Sequence, residues 1–380
     1  MKKITLFLLF SLFMMVQVGC DKTKRENGSA DAADSTKVEE LPELKADEGI
    51  NKATKFYAGI SREGFEMSST DAAAWDKYSK DIKKYIAMSN KTIEGVDSIA
   101  RTDFTDFRDK VDYVFYPFSG ADFIYPITLY PDADTYFLCG LEKTGSLIDE
   151  NVKTTYSHYE AYRNGLATFF RASFFITKDM VGDFHNNELD GVCPVLTMLM
   201  AVAEYDIISI RYLNLSDSGD FTPAEGKSDV LEFKFFKPGS RHEQTLYYYS
   251  CDVSNEFIKE NIKAYLSKTL PSHTVGTYIK AASFLMHKEH FSIMRNYVLD
   301  YSLSIVEDDS GIPYRMIIDK YDVTLYGKYM FPSKSFDPDK RQMDLNKIYN
   351  ESKDIHALPF RIGYNNPSNW LVARRKGTKS

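Results

Sequence analysis

The sequence is poor in the residues that cross-link small domains or bind metals. Its 380 residues include only four cysteines. Cys20 ends an apolar N-terminal segment, and the spacing of Cys139, Cys193 and Cys251 matches no zinc-binding pattern. Each of these three lies in an apolar stretch, so we expect buried thiols, although an exported protein can also form one disulfide. The sequence does not choose a pair, and it predicts neither a metal site nor a cofactor.

Excess positive charge and long apolar runs are also absent. The formal net charge is −7, and it becomes −9 when Lys2 and Lys3 are removed with a signal segment. A nucleic-acid partner requires a basic surface, so this charge argues against one. Beyond the N terminus no stretch reaches about 18 consecutive apolar residues, so we expect no membrane-spanning helix.

The N terminus has the pattern of a bacterial export signal. Two lysines precede an apolar segment over 4–16, which is too short to span a bilayer comfortably, and Gly19 and Cys20 follow. This looks like a lipoprotein cleavage site, so we predict a signal peptide over 1–19 and acylation of Cys20, including palmitate. The alternative is an ordinary secretory signal followed by a chance cysteine.

A lipid on Cys20 would make the membrane a partner and place the chain in the bacterial cell envelope. We expect the outer membrane rather than the inner one, with the folded part facing the periplasm or the exterior. Residues 20–49 are rich in charged and small residues and lack aromatic side chains, which predicts a flexible tether. Residues 50–380 are predicted to form one globular domain, with a split near residue 204 as the alternative.

The remaining pattern predicts a mixed α/β (α+β) fold of strand–helix–strand units and antiparallel hairpins, packed with helices in one large globule. Apolar residues at helical spacing predict helices over 51–60, 72–89, 99–111, 120–129, 156–175, parts of 177–203, 254–268, 282–298 and 341–352. Aromatic and β-branched runs predict strands over 112–118, 135–141, 207–213, 230–236, 245–249, 274–280, 301–306, 322–331, 360–364 and 370–374.

The first predicted strand–helix–strand unit contains one candidate site. Ser119 and Asp122 lie at its strand-to-helix turn, where helix N–H groups can bind an anion and a serine can act as a nucleophile. Pro117 replaces the glycine that a nucleophile elbow requires. The competing interpretation is a helix cap, with Ser119 as the cap and Asp122 closing the capping box. Tyr116, just before this turn, is a candidate for ligand stacking.

A second candidate is the polar segment that begins at Asp308 and Asp309. Two acids at a strand end can bind a hard cation or serve as acid and base, but in an extended chain they point to opposite faces. A β-turn explains the same residues. Arg315, at the end of this segment, is a candidate for ligand binding.

Two histidines form the third candidate. His287 and His290 are three residues apart, which places them on one face of a predicted helix and suits ligand binding. A third metal ligand is not evident, so a surface or core role is the alternative. Lys280 and Ser283 have the same spacing, which is common by chance, and they suggest a nucleophile and its base only weakly.

Several of these segments occur together in a recognisable order. They are Phe115-Tyr-Pro-Phe-Ser-Gly-Ala-Asp-Phe, Pro131-Asp-Ala-Asp-Thr-Tyr-Phe-Leu-Cys-Gly-Leu-Glu, Lys280-Ala-Ala-Ser-Phe-Leu-Met-His, Phe291-Ser, Asp308-Asp-Ser-Gly-Ile-Pro-Tyr-Arg and Tyr326-Gly-Lys-Tyr. The chain, over about 70–375, resembles a family of uncharacterised bacterial envelope lipoproteins. That resemblance implies one conserved architecture, and it transfers no activity or site residue.

Taken together, these patterns predict a membrane-anchored protein that binds a ligand or organises the envelope without catalysis. The expected ligand is a glycan or another envelope protein. The alternative is an envelope hydrolase for a glycan or ester-type substrate, using Ser119, Asp122, Asp308 and Asp309, with His287 as a further candidate. The sequence does not decide whether the protein is an enzyme.

Overall fold

The computed structural model describes residues 43–148, 159–160, 162–164, 166–167, 190–332 and 336–377. The predicted signal peptide, Cys20, most of the predicted tether and the first part of the predicted helices over 177–203 lie outside these residues.

In the described part of the chain, eleven strands form one mixed sheet, and the predicted mixed α/β fold is confirmed. The strands are, in chain order, β1 (Tyr113–Tyr116), β2 (Thr135–Gly140), β3 (Asp206–Leu215), β4 (Phe221–Pro223), β5 (Val230–Phe236), β6 (Gln244–Ser250), β7 (Val275–Ile279), β8 (Ser302–Glu307), β9 (Tyr321–Gly327), β10 (Ile355–His356) and β11 (Asn369–Arg375). Their order across the sheet is β10-β9-β11-β8-β7-β1-β2-β6-β5-β3-β4.

The five central strands, β8, β7, β1, β2 and β6, are parallel. They are rich in aromatic and aliphatic residues and mostly buried, as expected for strands that are covered on both faces. When these five strands are numbered 1 to 5 in chain order and read across the sheet from β6 to β8, their order is 3-2-1-4-5. The direction of winding therefore reverses between β1 and β7. This is the order of doubly wound nucleotide-binding sheets, in which ligands bind beyond the carboxyl ends of the strands at the reversal.

Antiparallel strands complete both sides of the sheet. On one side β3, β5 and β6 form the predicted antiparallel hairpins, and β6 is also parallel to β2. The short strand β4, which was not predicted, pairs with β3. On the other side β11 lies antiparallel between β8 and β9. Because β2 pairs with β6, the strands before and after residue 204 belong to the same sheet.

Helices cover the two faces of the sheet. They are α1 (Glu48–Tyr57), α2 (Ser69–Asp103), α3 (Ile124–Leu129), α4 (Cys193–Val202), α5 (Glu260–Thr269), α6 (Ser292–Tyr301), α7 (Tyr314–Ile317) and α8 (Met343–Glu351). Residues 159–160, 162–164 and 166–167 are also helical. None of the helices in the described ranges is long and apolar enough to cross a membrane.

Several predicted elements differ from the structure in their bounds or type. The predicted helix over 72–89 is part of a 35-residue helix, α2. This helix contains Gly95, and Phe360 packs in the space that a Cβ at that position would occupy. Segment 282–298 contains two short 3-10 turns before α6 begins at Ser292. Segment 360–364 is not a strand, since the Ile362 N–H donates to the Ser368 hydroxyl rather than to a neighbouring strand.

Alternate residues of the central strands fill two apolar layers. On β1, Val114 and Tyr116 belong to one layer, and Tyr113 and Phe115 belong to the other. The alternation of side chains along each strand therefore assigns each one to a face of the sheet. The carboxyl ends of the strands lie at the edge between the two layers.

Candidate functional site

A cavity of about 690 Å³ lies beyond the carboxyl ends of β1, β2, β6 and β7. It therefore sits where the winding of the sheet reverses, the expected position for a ligand in this architecture. Its polar and charged lining residues are Ser119, Asp122, Glu142, Asp252, Lys280 and Ser283, and its aromatic ones are Tyr116, Phe118, Phe291, Phe336 and Tyr364. The sequence predictions at Tyr116, Ser119 and Asp122 fall within this cavity.

A buried ion pair closes the floor of the cavity. Lys280 Nζ lies 2.6 Å from Asp122 Oδ2, and both side chains are only 1% exposed. Tyr116 donates a hydrogen bond of 3.1 Å to the same carboxylate, and Lys280 lies 3.7 Å from the centre of the Tyr125 ring. Burial raises the pKa of Asp122 and lowers the pKa of Lys280, while the attraction between them opposes both shifts.

The turn after β1 has a different role from the predicted helix cap. The Ser119 hydroxyl donates to the backbone carbonyls of Gly120 and Cys139, rather than accepting an N–H group of α3. Asp122 makes the contact with α3, because its Oδ1 accepts the Tyr125 N–H at 3.4 Å. A carboxylate that is paired with Lys280 therefore occupies the start of the helix and already accepts one of its N–H groups.

Glu142, just beyond β2, is the acid that sequence reasoning missed. Its side chain is buried at the cavity wall, and Tyr248 donates to its backbone carbonyl at 2.8 Å and lies 3.4 Å from its Oε2. Gly140 makes this arrangement possible, because a Cβ there would lie 2.6 Å from Glu142 Oε2. The position of Glu142 in the sequence could have indicated it, because Glu142 follows the turn glycine Gly120 by 22 residues and lies just after the second strand.

The loop after β7 has an unusual backbone. Ala281, Ser283 and Phe284 have φ values of +53°, +52° and +58°, which non-glycine residues seldom adopt. Tyr364 donates to the Ala281 carbonyl at 2.5 Å, and the Ser283 hydroxyl lies 2.7 Å from the Tyr364 hydroxyl. Strained backbone of this kind persists where surrounding contacts impose it, commonly at binding sites.

Asp308 supports that loop from behind the cavity. Its Oδ2 accepts the Ala281 N–H at 2.9 Å, and its Oδ1 accepts the Ser310 N–H at 3.0 Å. Asp309 is also buried, and its Oδ1 accepts hydrogen bonds of 2.9 Å from Asn365 and Asn369. The predicted β-turn thus describes these acids better than a solvent-facing acid–base pair does, and neither lines the cavity.

The two histidines do not share a helical face. His287 ends one 3-10 turn and His290 lies in the next, since Lys288 between them is extended. His287 is partly buried against Phe284, while His290 is exposed. Within the described ranges no group of three or more potential metal ligands occurs. Arg315 is exposed on α7. Burial lowers the pKa of His287, and the charge of Arg315 adds to that effect.

The charged side chains give the cavity an acidic balance. The charged residues of the described lining are three acids, Asp122, Glu142 and Asp252, and one base, Lys280. Low-dielectric walls strengthen the field of such groups, so the cavity favours neutral or cationic ligands over polyanions.

Comparison of the chain with protein-family models, with curated proteins and with solved structures found no match.

Proposed function

We propose that the cavity binds a phosphate-free nucleoside, with the ribose hydroxyls on Glu142. The single observation behind this proposal is the position of a buried acid at the end of the second strand, on the wall of a cavity at the winding reversal. In doubly wound sheets an acid at this position, about 20 residues after the turn glycine, accepts hydrogen bonds from ribose.

The turn after β1 argues for a ligand without phosphates. Nucleotide sites of this architecture place a pyrophosphate at a glycine-rich turn and the N-terminus of the next helix. Here the turn has a single glycine, Gly120, and Asp122 already accepts the N–H group of Tyr125. A nucleoside with a neutral or cationic substituent at its 5′ carbon, such as the sulfonium of S-adenosylmethionine, fits these charges better.

A second depression offers a place for the base. It adjoins the cavity, shares Leu141, Cys251 and Asp252 with it, and has a volume of about 400 Å³. Leu141 and Phe257 on its wall are 62% and 61% exposed, respectively. Aromatic and aliphatic side chains at this position provide apolar surfaces for a planar base, and Asp252 supplies a hydrogen-bond acceptor.

Replacing Glu142 by glutamine should weaken nucleoside binding by about 10- to 100-fold, because hydrogen bonds to a charged group contribute about 1.5–3 kcal/mol. Isothermal titration with adenosine, S-adenosylmethionine, S-adenosylhomocysteine and ATP measures this loss. ATP should bind more weakly than adenosine in the wild-type protein.

The matched control is Glu225→Gln, since Glu225 is an exposed acid outside the cavity. It should leave every affinity unchanged. The proposal fails if Glu142→Gln behaves like this control, or if the wild-type protein binds none of the four compounds.

Binding without catalysis agrees with the leading sequence prediction, although the expected ligand there was a glycan or an envelope protein. An oligosaccharide added to the same titrations separates the two ligand classes. The hydrolase alternative has less support, because the Ser119 hydroxyl donates to backbone carbonyls. Asp308 and Asp309 accept hydrogen bonds within and around the turn after β8.

We also propose that the chain is held in the cell envelope by a lipid on Cys20. Cys20→Ala should abolish incorporation of labelled palmitate and move protein from the membrane to the soluble fraction, because several acyl chains supply the anchoring energy. Cys251→Ala is the control and should incorporate label like the wild type. Equal labelling of the Cys20→Ala protein would contradict the lipid anchor.

A further inference from the structure

Four aromatic side chains line the cavity in two pairs. The ring centres of Phe118 and Phe291 lie 5.8 Å apart with the rings at 61°, and those of Phe336 and Tyr364 lie 4.8 Å apart at the same angle. At this angle the two rings of a pair do not stack, so part of each ring face stays uncovered by its partner. Phe118, Phe336 and Tyr364 are partly exposed, which leaves ring surface available to a ligand.

The strained loop after β7 fixes the second of these pairs. The Tyr364 hydroxyl donates to the Ala281 carbonyl and lies 2.7 Å from the Ser283 hydroxyl. The ring of Phe284, a residue in the left-handed conformation, lies 4.9 Å from the ring of Phe336. Both rings therefore have a defined position before a ligand arrives, which lowers the entropic cost of binding.

The acids of the cavity lining add a negative field to these rings. Asp122, Glu142 and Asp252 line the cavity together with a single base, Lys280. The faces of aromatic rings also carry partial negative charge, so the rings and the acids attract a cation together. The same groups repel an anion.

The floor of the cavity already contains a contact of this kind. Lys280 Nζ lies 3.7 Å from the centre of the Tyr125 ring and 2.6 Å from Asp122 Oδ2. The protein thus holds its own ammonium group between a ring and an acid. A ligand cation in the cavity would meet the same two kinds of partner.

We propose that the four aromatic side chains bind a quaternary alkylammonium cation such as choline. A quaternary nitrogen has no N–H group to donate, so ring faces and nearby acids are the partners that recognise it. The hydroxyl of choline can bond to Ser283, which is exposed and also lines the cavity. The inference depends on the cavity lining, and it does not rest on the proposed nucleoside at Glu142 and the adjoining depression.

A neutral analogue of choline provides the sharpest test. Its tert-butyl analogue has the same shape, with a neutral carbon in place of the charged nitrogen. Isothermal titration of the full chain should show that choline binds at least about 10-fold more tightly, because the rings and the acids act on its charge. Equal affinities would overturn the proposal, and so would the absence of choline binding up to about 10 mM.

Replacing single rings locates the site. Phe118→Leu and Phe336→Leu keep an apolar side chain but lose the ring face, so each should weaken choline binding by about 5- to 30-fold, which corresponds to about 1–2 kcal/mol. Phe221→Leu is the matched control, since Phe221 is partly exposed and is not among the lining residues. It should bind choline like the wild type. Equal affinities in all three variants would contradict an aromatic site.

Phosphocholine distinguishes a free cation from a lipid headgroup. It carries the same ammonium group together with a phosphate, which the acids of the cavity should repel. We therefore expect phosphocholine to bind more weakly than choline. Equal or tighter binding would overturn the choice of a free cation. The comparisons among ligands use the wild-type protein, so they give this answer even where a variant folds poorly.

Discussion

Replacing Lys280 by methionine is expected to lower the free energy of unfolding by about 3–5 kcal/mol, the usual cost of breaking a buried ion pair. Both partners are only 1% exposed, so Asp122 would keep a buried carboxylate without its cation. Its hydrogen bonds from Tyr116 and Tyr125 compensate only part of that loss. Urea denaturation of wild type and variant measures the difference.

Two further proteins separate this effect from lost packing. Adding Asp122→Asn to Lys280→Met should recover much of the stability, because the asparagine carries no charge and its oxygen can still accept hydrogen bonds. Lys320→Met breaks an exposed ion pair with Asp300 and should cost about 0–1 kcal/mol. A loss in Lys280→Met no larger than in Lys320→Met would contradict a charged buried pair.

Opposite pH dependences are expected for variants of His287 and Asp309. Burial, assisted by Asp308, raises the pKa of Asp309 to about 7, whereas its unfolded value is about 3.9. Burial, assisted by Arg315, lowers the pKa of His287 to about 4 from about 6.5 in the unfolded chain. Asp309 thus contributes stability that is lost as the pH rises, and His287 contributes stability that is lost as the pH falls.

Between about pH 4 and 6.5 these two contributions offset each other, with slopes of opposite sign near 1.4 kcal/mol per pH unit. Asp309→Asn should therefore gain stability relative to wild type as the pH rises, by about 2–4 kcal/mol across this window. His287→Gln should gain relative to wild type as the pH falls.

Urea denaturation at several pH values gives both differences, and His290→Gln is the exposed control with no expected slope. Parallel pH profiles for Asp309→Asn and the wild type would show that Asp309 is ionised throughout. Such profiles would contradict the proposed offset between the contributions of Asp309 and His287.

The sequence predicted the strands of the sheet better than the site they form. The segments 112–118, 135–141 and 274–280 are rich in aromatic and β-branched residues, and each contains a mostly buried parallel strand. Their order in the sheet did not follow from the pattern, since the pairing of β1 with β7 is a long-range contact. Without that order, the acid at 142 could not be related to the turn at 119–122.

Of the residues that the sequence suggested for catalysis, Ser119 and Asp122 line the cavity, whereas Asp308 and Asp309 do not. Ser119 and Asp122 do lie at the cavity, but a capping pattern in sequence cannot show that Lys280 would pair with Asp122. Asp308 joins the site indirectly, by holding the Ala281 N–H in the strained loop. His287 and His290 were placed on one helix because their spacing suits it, and the left-handed residues before them prevent that helix.

The position of β1 at the winding reversal has a consequence for biosynthesis. Tyr113 pairs with Val275, 162 residues later, so one edge of β1 stays open until most of the chain is available. Contacts this distant in sequence slow folding, and an exposed apolar strand edge invites association with other chains. A chain truncated before residue 275 would therefore lack both a wall of the cavity and the β7 partner of its central strand.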